Sequence, residues 1–436
     1  MTRGKVASLP NYRWPVVWLA RRYAPLRAAA SGAFHLARAV GWVVSLLARR
    51  RPTIAVLRTD GVGDAILFEP VLRDLPRVFD GAEIHLWAPP PVIDLLRAHP
   101  AVKRFVAVPR GFKPGNHTVF WSIPWRARLG YRLGRFRYDL AIYPPADPEP
   151  LGNWLLASIR ATQRWITDGS TLNQFDWQRE IAQARADSVL PVDRSPGIHE
   201  LQRNAQLAAT WESSVERLRP EIPASPRAAT YAAVHLGAAR HAVRRTRARG
   251  LVGIIPAGSG ELNRYPAARW AEVIRRLWTE HQLLSGLLGG PDDDDVLSPI
   301  AKRLGDVPHH RFPADRDISV AAAVVARLDG VVSVDTGLAH AAAAFDVPSA
   351  VLVTGGMPWR FFPWPAATAR TVAVNQPTPC AGCNYRCTHP DGAVCLTEVE
   401  PRQVVEALLA AMKLRPVAPV LRIAPSGFPE EYRHAG

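Results

Sequence analysis

Apolar residues in this chain cluster in short runs, and stretches of helical spacing separate the runs. TIAVLR (53–58) is β-rich; a glycine loop follows, then helical periodicity to about residue 77. EIHLWA (83–88) and DLAIYP (139–144) are further strand-like runs, and residues 153–160 and 199–211 have helical spacing. RHAVRRTRARG (240–250) interrupts the pattern, being basic and without apolar periodicity. The alternation then restarts with LVGIIP (251–256), a Gly/Ser loop and a helix over 267–281. LLSGLLGG (283–290), DGVVSVD (329–335) with a helix through residue 345, and SAVLVTG (349–355) continue it. A last helical run covers 401–414, before a Pro-rich tail.

Strands that alternate with helices imply parallel sheets covered on both faces. Because the pattern starts twice, the sequence predicts an α/β protein of two Rossmann-like, doubly wound domains. The expected divisions are 1–51 as an extension, 52–240 and 241–400 as the two domains, and 401–436 as a terminal helix and tail. Ligands of such sheets sit beyond the carboxyl ends of the strands, so two facing domains would hold theirs in a cleft.

Composition adds a partner class. The 436 residues include 54 Lys or Arg and 38 Asp or Glu, a net charge of +16. That excess favours anionic partners. It is uneven: no acid precedes Asp60, and the first 51 residues hold ten Lys or Arg. The longest apolar stretch there, AVGWVVSLLA (39–48), has ten residues, whereas a membrane span needs about 20. Trp14, Trp18 and Trp42 among interleaved arginines fit a basic amphipathic helix lying on an anionic membrane surface. An organelle leader or a helix packed on the body would share these features. Charge is the sole hint of nucleic acid, and no nucleic-acid-binding motif accompanies it.

Four loops at predicted strand ends could carry chemistry. Asp60-Gly61-Val62-Gly63-Asp64 has neither the dinucleotide fingerprint nor the P-loop spacing. Gly61 and Gly63 allow close approach of a ligand. A carboxylate at Asp64 repels phosphate, so it suits a proton acceptor or a hydroxyl contact, unless it only caps the helix. PAGSGELNRYPAARW (256–270) offers Ser259, Gly260, Asn263 and Arg264 at a helix entry, which suits phosphate, though a plain turn could use the same residues. VSVDTGLAHAAAA (332–344) ends a strand on Asp335 and opens a helix with Thr336 and Gly337; His340 lies one turn in, and Thr336 could be simply a cap. LLGGPDDDD (287–295) sets Asp292 and Asp293 where acids bind ribose hydroxyls or begin a helix.

With these blocks in this order, the chain resembles glycosyltransferase family 9, the ADP-heptose:lipopolysaccharide heptosyltransferase group. The resemblance rests on RTDGVGDAILFEPVLRDL, GIIPAGSGELNRYPAARWAEVIRRL, LGGPDDD, DGVVSVDTGLAHAAAAFDVPSAVL and IHELQRNAQLAA, and covers about 53–414. It implies a GT-B fold and an inverting transfer of a sugar, typically heptose from ADP-heptose, with no catalytic metal. It implies Asp64 as the general base that takes the acceptor hydroxyl's proton. Thr336 and Gly337 would hold the diphosphate, Asp335 the sugar, and Asp293 the ribose. The family's diphosphate-neutralising lysine is Asn263 here, so Arg264 is the expected substitute cation. The implied acceptor is a glycolipid such as lipopolysaccharide core, at the inner face of the bacterial cytoplasmic membrane. A non-catalytic nucleotide-sugar or lipid-binding protein on the same scaffold is the alternative.

Cys380, Cys383, Cys387 and Cys395 follow the spacing C-x2-C-x3-C-x7-C. Four thiols in so short a segment could hold structural zinc, ligate an iron–sulfur cluster, pair as disulfides or stay free. Similar cysteine-rich segments occur in parts of the family. A structural role is expected, since the segment lies outside the nucleotide loops.

Overall fold

The structure, a computed structural model, describes residues 24–45, 52–109, 122–195, 197–211, 219–258, 260–365 and 369–414. The expected tail from 415, most of the segment before 52 except one helix, and Ser259 lie outside the described residues.

Helix α1 (Ala24–Ser45) precedes the first sheet. That domain then runs β1 (Thr53–Leu57), α2 (Val62–Val78), β2 (Glu83–Ala88), α3 (Pro90–Leu96), β3 (Val102–Ala107), α4 (Ile123–Arg135), β4 (Arg137–Tyr143), α5 (Pro150–Ser158), β5 (Arg160–Thr167), α6 (Asp176–Ala184), β6 (Ser188–Leu190) and α7 (Glu200–Ala209). The second runs α8 (Pro226–Thr246), β7 (Gly250–Ile255), α9 (Ala267–His281), β8 (Leu283–Leu287), α10 (Asp294–Leu304), β9 (His309–Arg311), α11 (Ile318–Val325), β10 (Gly330–Val334), α12 (Gly337–Ala344), β11 (Ser349–Leu352), β12 (Thr371–Val374) and α13 (Pro401–Lys413).

Each sheet has six strands, ordered β3-β2-β1-β4-β5-β6 and β12-β11-β10-β7-β8-β9. The described pairings are all parallel. Strand order reverses between β1 and β4 and again between β7 and β10, and ligand crevices form at such switch points. The central strands are the ones whose apolar runs were unbroken: β1, β7, β8, β10 and β11 are buried on both faces.

The division between domains differs from the expected one at 240. Helix α8 starts at Pro226, and its Ala228, Ala232, Leu236 and Ala239 pack with Leu251, Val324 and Val331 of the second domain. The stretch reads as basic because its apolar face is a row of small alanines. Helix α13 likewise belongs to the second domain, with Val404, Val405 and Leu408 buried beside Val332 and Leu352. At the other end, α1 crosses α4 at backbone contact: Gly130 faces the Phe34 carbonyl and Gly134 the Arg38 carbonyl with no room for a Cβ.

The two domains share an apolar seam. Ile66 and Leu67 of α2 and Leu201 of α7 pack with Ala339, Ala343, Phe362 and Trp364. Polar groups tie the same seam. Arg360 ion-pairs with Glu200 at 2.9 Å and with Asp147 at 2.5 Å, and the Glu200 N–H donates to the Arg360 carbonyl at 2.8 Å. Burial alone would raise the pKa of Glu200, but Arg360 and Arg203 hold it below its usual range. His199 caps α7: its Nδ1 accepts from the Leu201 N–H, so its Nε2 carries the proton and donates to the Phe361 carbonyl at 3.1 Å.

Burial lowers the pKa of His199 to about 3, and burial followed by the charge of Arg104 lowers that of His85 to about 4. Both native values lie below the unfolded value of 6.5, so the unfolded chain binds the extra protons. Stability is therefore full above pH 6.5 and falls as pH drops towards these native values. Each histidine is expected to cost about 1.4 kcal/mol at pH 5.5. Urea unfolding at pH 7.5 and 5.5 checks this, and His199→Asn should flatten the slope whatever its own cost. An equal slope in the variant would remove His199 from the account.

Candidate active site

The site is built where the two switch points face each other. On the first side, β1 ends at Leu57 and the chain turns through Arg58–Gly61 into α2. Arg58 is buried and grips Asp60 with two bonds, Nη2 to Oδ2 at 2.6 Å and Nε to Oδ1 at 3.1 Å. Its Nη2 also donates to the Asp64 carbonyl at 3.1 Å, so one guanidinium fastens the loop to the first helical turn. Asp64 is the third residue of α2, and its Oδ2 accepts the Gly61 N–H at 3.1 Å. Gly61, not Asp64, is the N-cap; Asp64 caps the helix from its third position, through one of its two oxygens.

On the second side, β10 ends in Val334, and Asp335-Thr336 leads into α12. Thr336 has extended backbone at the N-cap but makes no capping bond with its side chain. Its hydroxyl and the first N–H groups of α12, which have no intrahelical acceptors, are available to a ligand. His340 is buried, stacks on Phe362 with ring centroids 4.4 Å apart, and accepts the Trp364 indole N–H on Nδ1 at 3.1 Å. An indole N–H can only donate. The neutral ring of His340 therefore carries its proton on Nε2, which lies 3.6 Å from Asp335 Oδ1.

The two sides touch. A Cβ added to Gly63 would stand 2.5 Å from His340 Cδ2, and one added to Gly337 would stand 2.8 Å from Val62 Cβ. Only glycine at 63 and 337 lets the helix N-termini approach this closely.

One cavity of about 710 Å³ occupies this junction. It is bordered by Gly61, Gly63 and Asp64 from the first domain and by Gly260, Asn263, Asp335, Thr336, Gly337 and His340 from the second. Nine residues singled out in the sequence thus share one space. Arg264, Asp292 and Asp293 do not border it. Arg264 turns to Asp295, 3.4 Å away, with both side chains more than half exposed. The expected replacement for the missing lysine is thus outside the cavity lining, while Asn263 is inside. Asp293 spends its Oδ2 on the Gly290 N–H at 2.7 Å, closing its own turn.

Other residues of the lining carry no local signal in the sequence: Leu262, Phe361 and Tyr385. Tyr385 belongs to the cysteine segment, which therefore does reach the nucleotide loops, contrary to expectation. Burial, and then the charges of Asp335 and Asp64, push its hydroxyl above its ordinary pKa, so it stays protonated and can donate. The four cysteines border a separate cavity of about 10 Å³ behind it, together with Tyr385 and Leu262. Among the described residues no three or more His, Cys, Asp or Glu side chains are arranged to hold a metal ion. The four thiols thus face one small space.

A larger cavity, about 960 Å³, lies alongside. Asp147, Ser170, Thr171, Arg194, Arg203, Arg360, Asn384 and Arg386 are among its borders, so it too draws on both domains.

The model of the family described as "Glycosyltransferase family 9 (heptosyltransferase)" matches residues 174–389. Over these residues the chain is similar to glycosyltransferase family 9. Among curated proteins, Lipopolysaccharide heptosyltransferase 2 of Salmonella typhimurium is 22% identical over 309 residues, covering 69% of this chain and 82% of that one. Among solved structures, the family 9 glycosyl transferase of Veillonella parvula has a TM-score of 0.63 at 16% identity, over 83% of this chain and 97% of that one. E. coli heptosyltransferase WaaC with ADP-2-deoxy-2-fluoro heptose has a TM-score of 0.54 at 20% identity, over 81% and 99%. These likenesses establish the GT-B fold, with its two parallel-sheet domains facing a cleft.

The contact between Gly63 and His340 sets how closely the two domains of this glycosyltransferase approach at the site. Gly63→Ala is expected to destabilise the protein by about 1–3 kcal/mol, because the neighbouring ring is itself packed and cannot give way freely. Urea unfolding measures this. Wild-type stability in the variant would mean that His340 moves aside without cost.

Proposed function

We propose that the enzyme is an inverting heptosyltransferase that moves heptose from ADP-heptose to a glycolipid acceptor of the lipopolysaccharide-core type. The observation that carries this reading is the shared cavity, in which a carboxylate from one domain faces a helix N-terminus from the other, in a chain similar to family 9. The curated relative is a lipopolysaccharide heptosyltransferase, and the WaaC structure holds an ADP-heptose analogue; both support this donor and acceptor.

In this mechanism Thr336 and the N–H groups opening α12 receive the diphosphate. Asp335, next to His340, holds hydroxyls of the transferred sugar. Asp64 keeps one oxygen on the Gly61 N–H and with the other takes the proton of the acceptor hydroxyl. That hydroxyl oxygen attacks the anomeric carbon from the side opposite the diphosphate. A new carbon–oxygen bond forms as the bond to the β-phosphate oxygen breaks, and ADP leaves with the electron pair. Fixed backbone dipoles in a closed cleft stabilise the growing charge without reorganising, and no metal is assigned to this step. Asp293 would reach the ribose only by giving up its bond to Gly290. The larger cavity takes the acceptor, and its exposed Arg194 and Arg386 suit an anionic one.

The test is calorimetry with ADP, UDP, GDP and ADP-heptose, then a transfer assay run in EDTA. ADP-selective binding is expected, tighter with the sugar attached. Asp64→Asn should fold and bind ADP normally while transfer falls by about 10²–10⁴-fold, the contribution usual for a general base. Near-wild-type turnover in that variant rejects the base assignment; ADP binding without turnover in the wild type favours the non-catalytic alternative; loss of turnover in EDTA rejects the metal-free step.

We further propose that the protein works on the inner face of the bacterial cytoplasmic membrane, held by α1. No helix among the described residues is long and apolar enough to cross a membrane. Leu36, Val40 and Val43 are 70%, 50% and 55% exposed, and their spacing puts them in one stripe on the helix face away from α4. Trp42 is exposed beside them, and the segment is rich in arginine. Such a face suits an anionic lipid surface. Flotation with phosphatidylglycerol-containing vesicles should show binding that weakens at high salt. Leu36→Glu with Val40→Glu should reduce it at least tenfold while leaving ADP affinity unchanged. Equal binding by that variant would place any anchor elsewhere.

A further inference from the structure

The cysteine segment is a wall of the active site. It is laced to the Gly355-Gly356 strand end: the Gly382 N–H donates to the Gly355 carbonyl at 2.7 Å, and the Asn384 N–H to the Gly356 carbonyl at 2.8 Å. On its other side the Gly355 N–H donates to Cys395 Sγ at 3.3 Å. Asn384 and Tyr385 both have positive φ, 52° and 58°. Two successive non-glycine residues in the left-handed region are uncommon and persist where the surroundings impose them.

The consequence is an alternation along the segment. Asn384 and Arg386 border the larger cavity, whereas Tyr385 between them borders the cavity that holds Asp64 and Asp335. A second strand of chain does the same, with Arg360 on the larger cavity and Phe361 on the smaller. The two cavities therefore meet at a partition one residue thick, and Tyr385 is the polar group that the partition turns towards the donor side. Its ring lies against Gly356, where a Cβ would stand 2.8 Å from Tyr385 Cδ1.

We propose that Tyr385 is a substrate-contacting residue whose phenol donates a hydrogen bond to the transferred sugar, fixing it at the boundary of the donor and acceptor cavities. The proposal rests on the donor reading above. Its chemistry follows from the neighbours. Asp64 and Asp335 accept hydrogen bonds from a polyol but cannot donate to one while ionised. A phenol beside them supplies the missing donor. The nucleotide end is served by the α12 N-terminus and the Gly260–Asn263 turn, so the phenol faces the sugar, the remaining part of the donor.

The experiment compares the affinities of ADP and of ADP-2-deoxy-2-fluoro-heptose, by calorimetry, in the wild type and in Tyr385→Phe. The ratio of the two dissociation constants isolates the sugar's share of binding. Tyr385→Phe is expected to keep its ADP affinity within twofold and to lose about five- to tenfold of that ratio, the size of one neutral hydrogen bond. Gly356→Ala shifts the ring, and the hydroxyl with it, without removing the hydroxyl. It should lose a similar factor, and the double variant should lose little more than either single one. An unchanged ratio in Tyr385→Phe overturns the proposal. So does a wild type that binds ADP but gains nothing from the sugar, an outcome that leaves the nucleotide site standing. A wild type that binds no ADP removes the donor reading itself, and the proposal with it.

Discussion

The contact between the N-termini of α2 and α12 is the constraint on which the rest of the site depends. Val62 meets Gly337 and Gly63 meets the His340 ring, each at a distance that excludes a Cβ on the glycine. Two helix N-termini carry like partial charges, so nothing electrostatic draws them together. The apolar seam behind them does, with Ile66 and Leu67 packed on the alanines of α12. That arrangement leaves a polar pocket in front of the seam, with a carboxylate on one wall and free N–H groups on the other. The pocket thus holds a hydrogen-bond acceptor on one face and hydrogen-bond donors on the other.

The buried ionic network serves the same geometry. Arg360 bridges Asp147 and Glu200, and the Glu200 N–H and the His199 side chain reach the Arg360 and Phe361 carbonyls across the seam. Desolvation offsets much of the attraction in such pairs, so the network adds little net stability. Its geometric demand is strict, however, since removing one partner strands the others. It fixes the register of the segment carrying Arg360 and Phe361, which also forms the partition between the two cavities.

How much of this was legible in the sequence depended on how local the signal was. The central strands were plain, because strands buried on both faces read as unbroken apolar runs. Strands β3, β5, β6, β9 and β12 were not: β5, RATQRWIT, is half exposed, and β6 and β9 have three residues each. Helix α8 was missed because its buried face is alanine, which leaves little amplitude against so many arginines. In the site, strand-end loops with glycine, aspartate and threonine were readable and came together in one cavity. Arg264 and Asp293 were readable too, yet each is taken by a neighbour, Asp295 and the Gly290 N–H. Tyr385 had no readable signal, since its place depends on a loop folding back against Gly356.

The bland and functional readings of Asp64 are one arrangement. A carboxylate that caps its own helix holds its side chain in a single rotamer, because one oxygen is fixed on the Gly61 N–H. The buried Arg58 fixes the same turn from behind through Asp60 and the Asp64 carbonyl. The remaining oxygen is then presented to the cavity in a set direction before any substrate arrives. Thr336 is the complementary case: a residue of capping type at a capping position that makes no cap, so its hydroxyl and the adjacent N–H groups stay open. The first domain uses a cap to fix a carboxylate, and the second omits one and leaves its N–H groups open. Both follow from which hydrogen bonds each helix terminus leaves unmade.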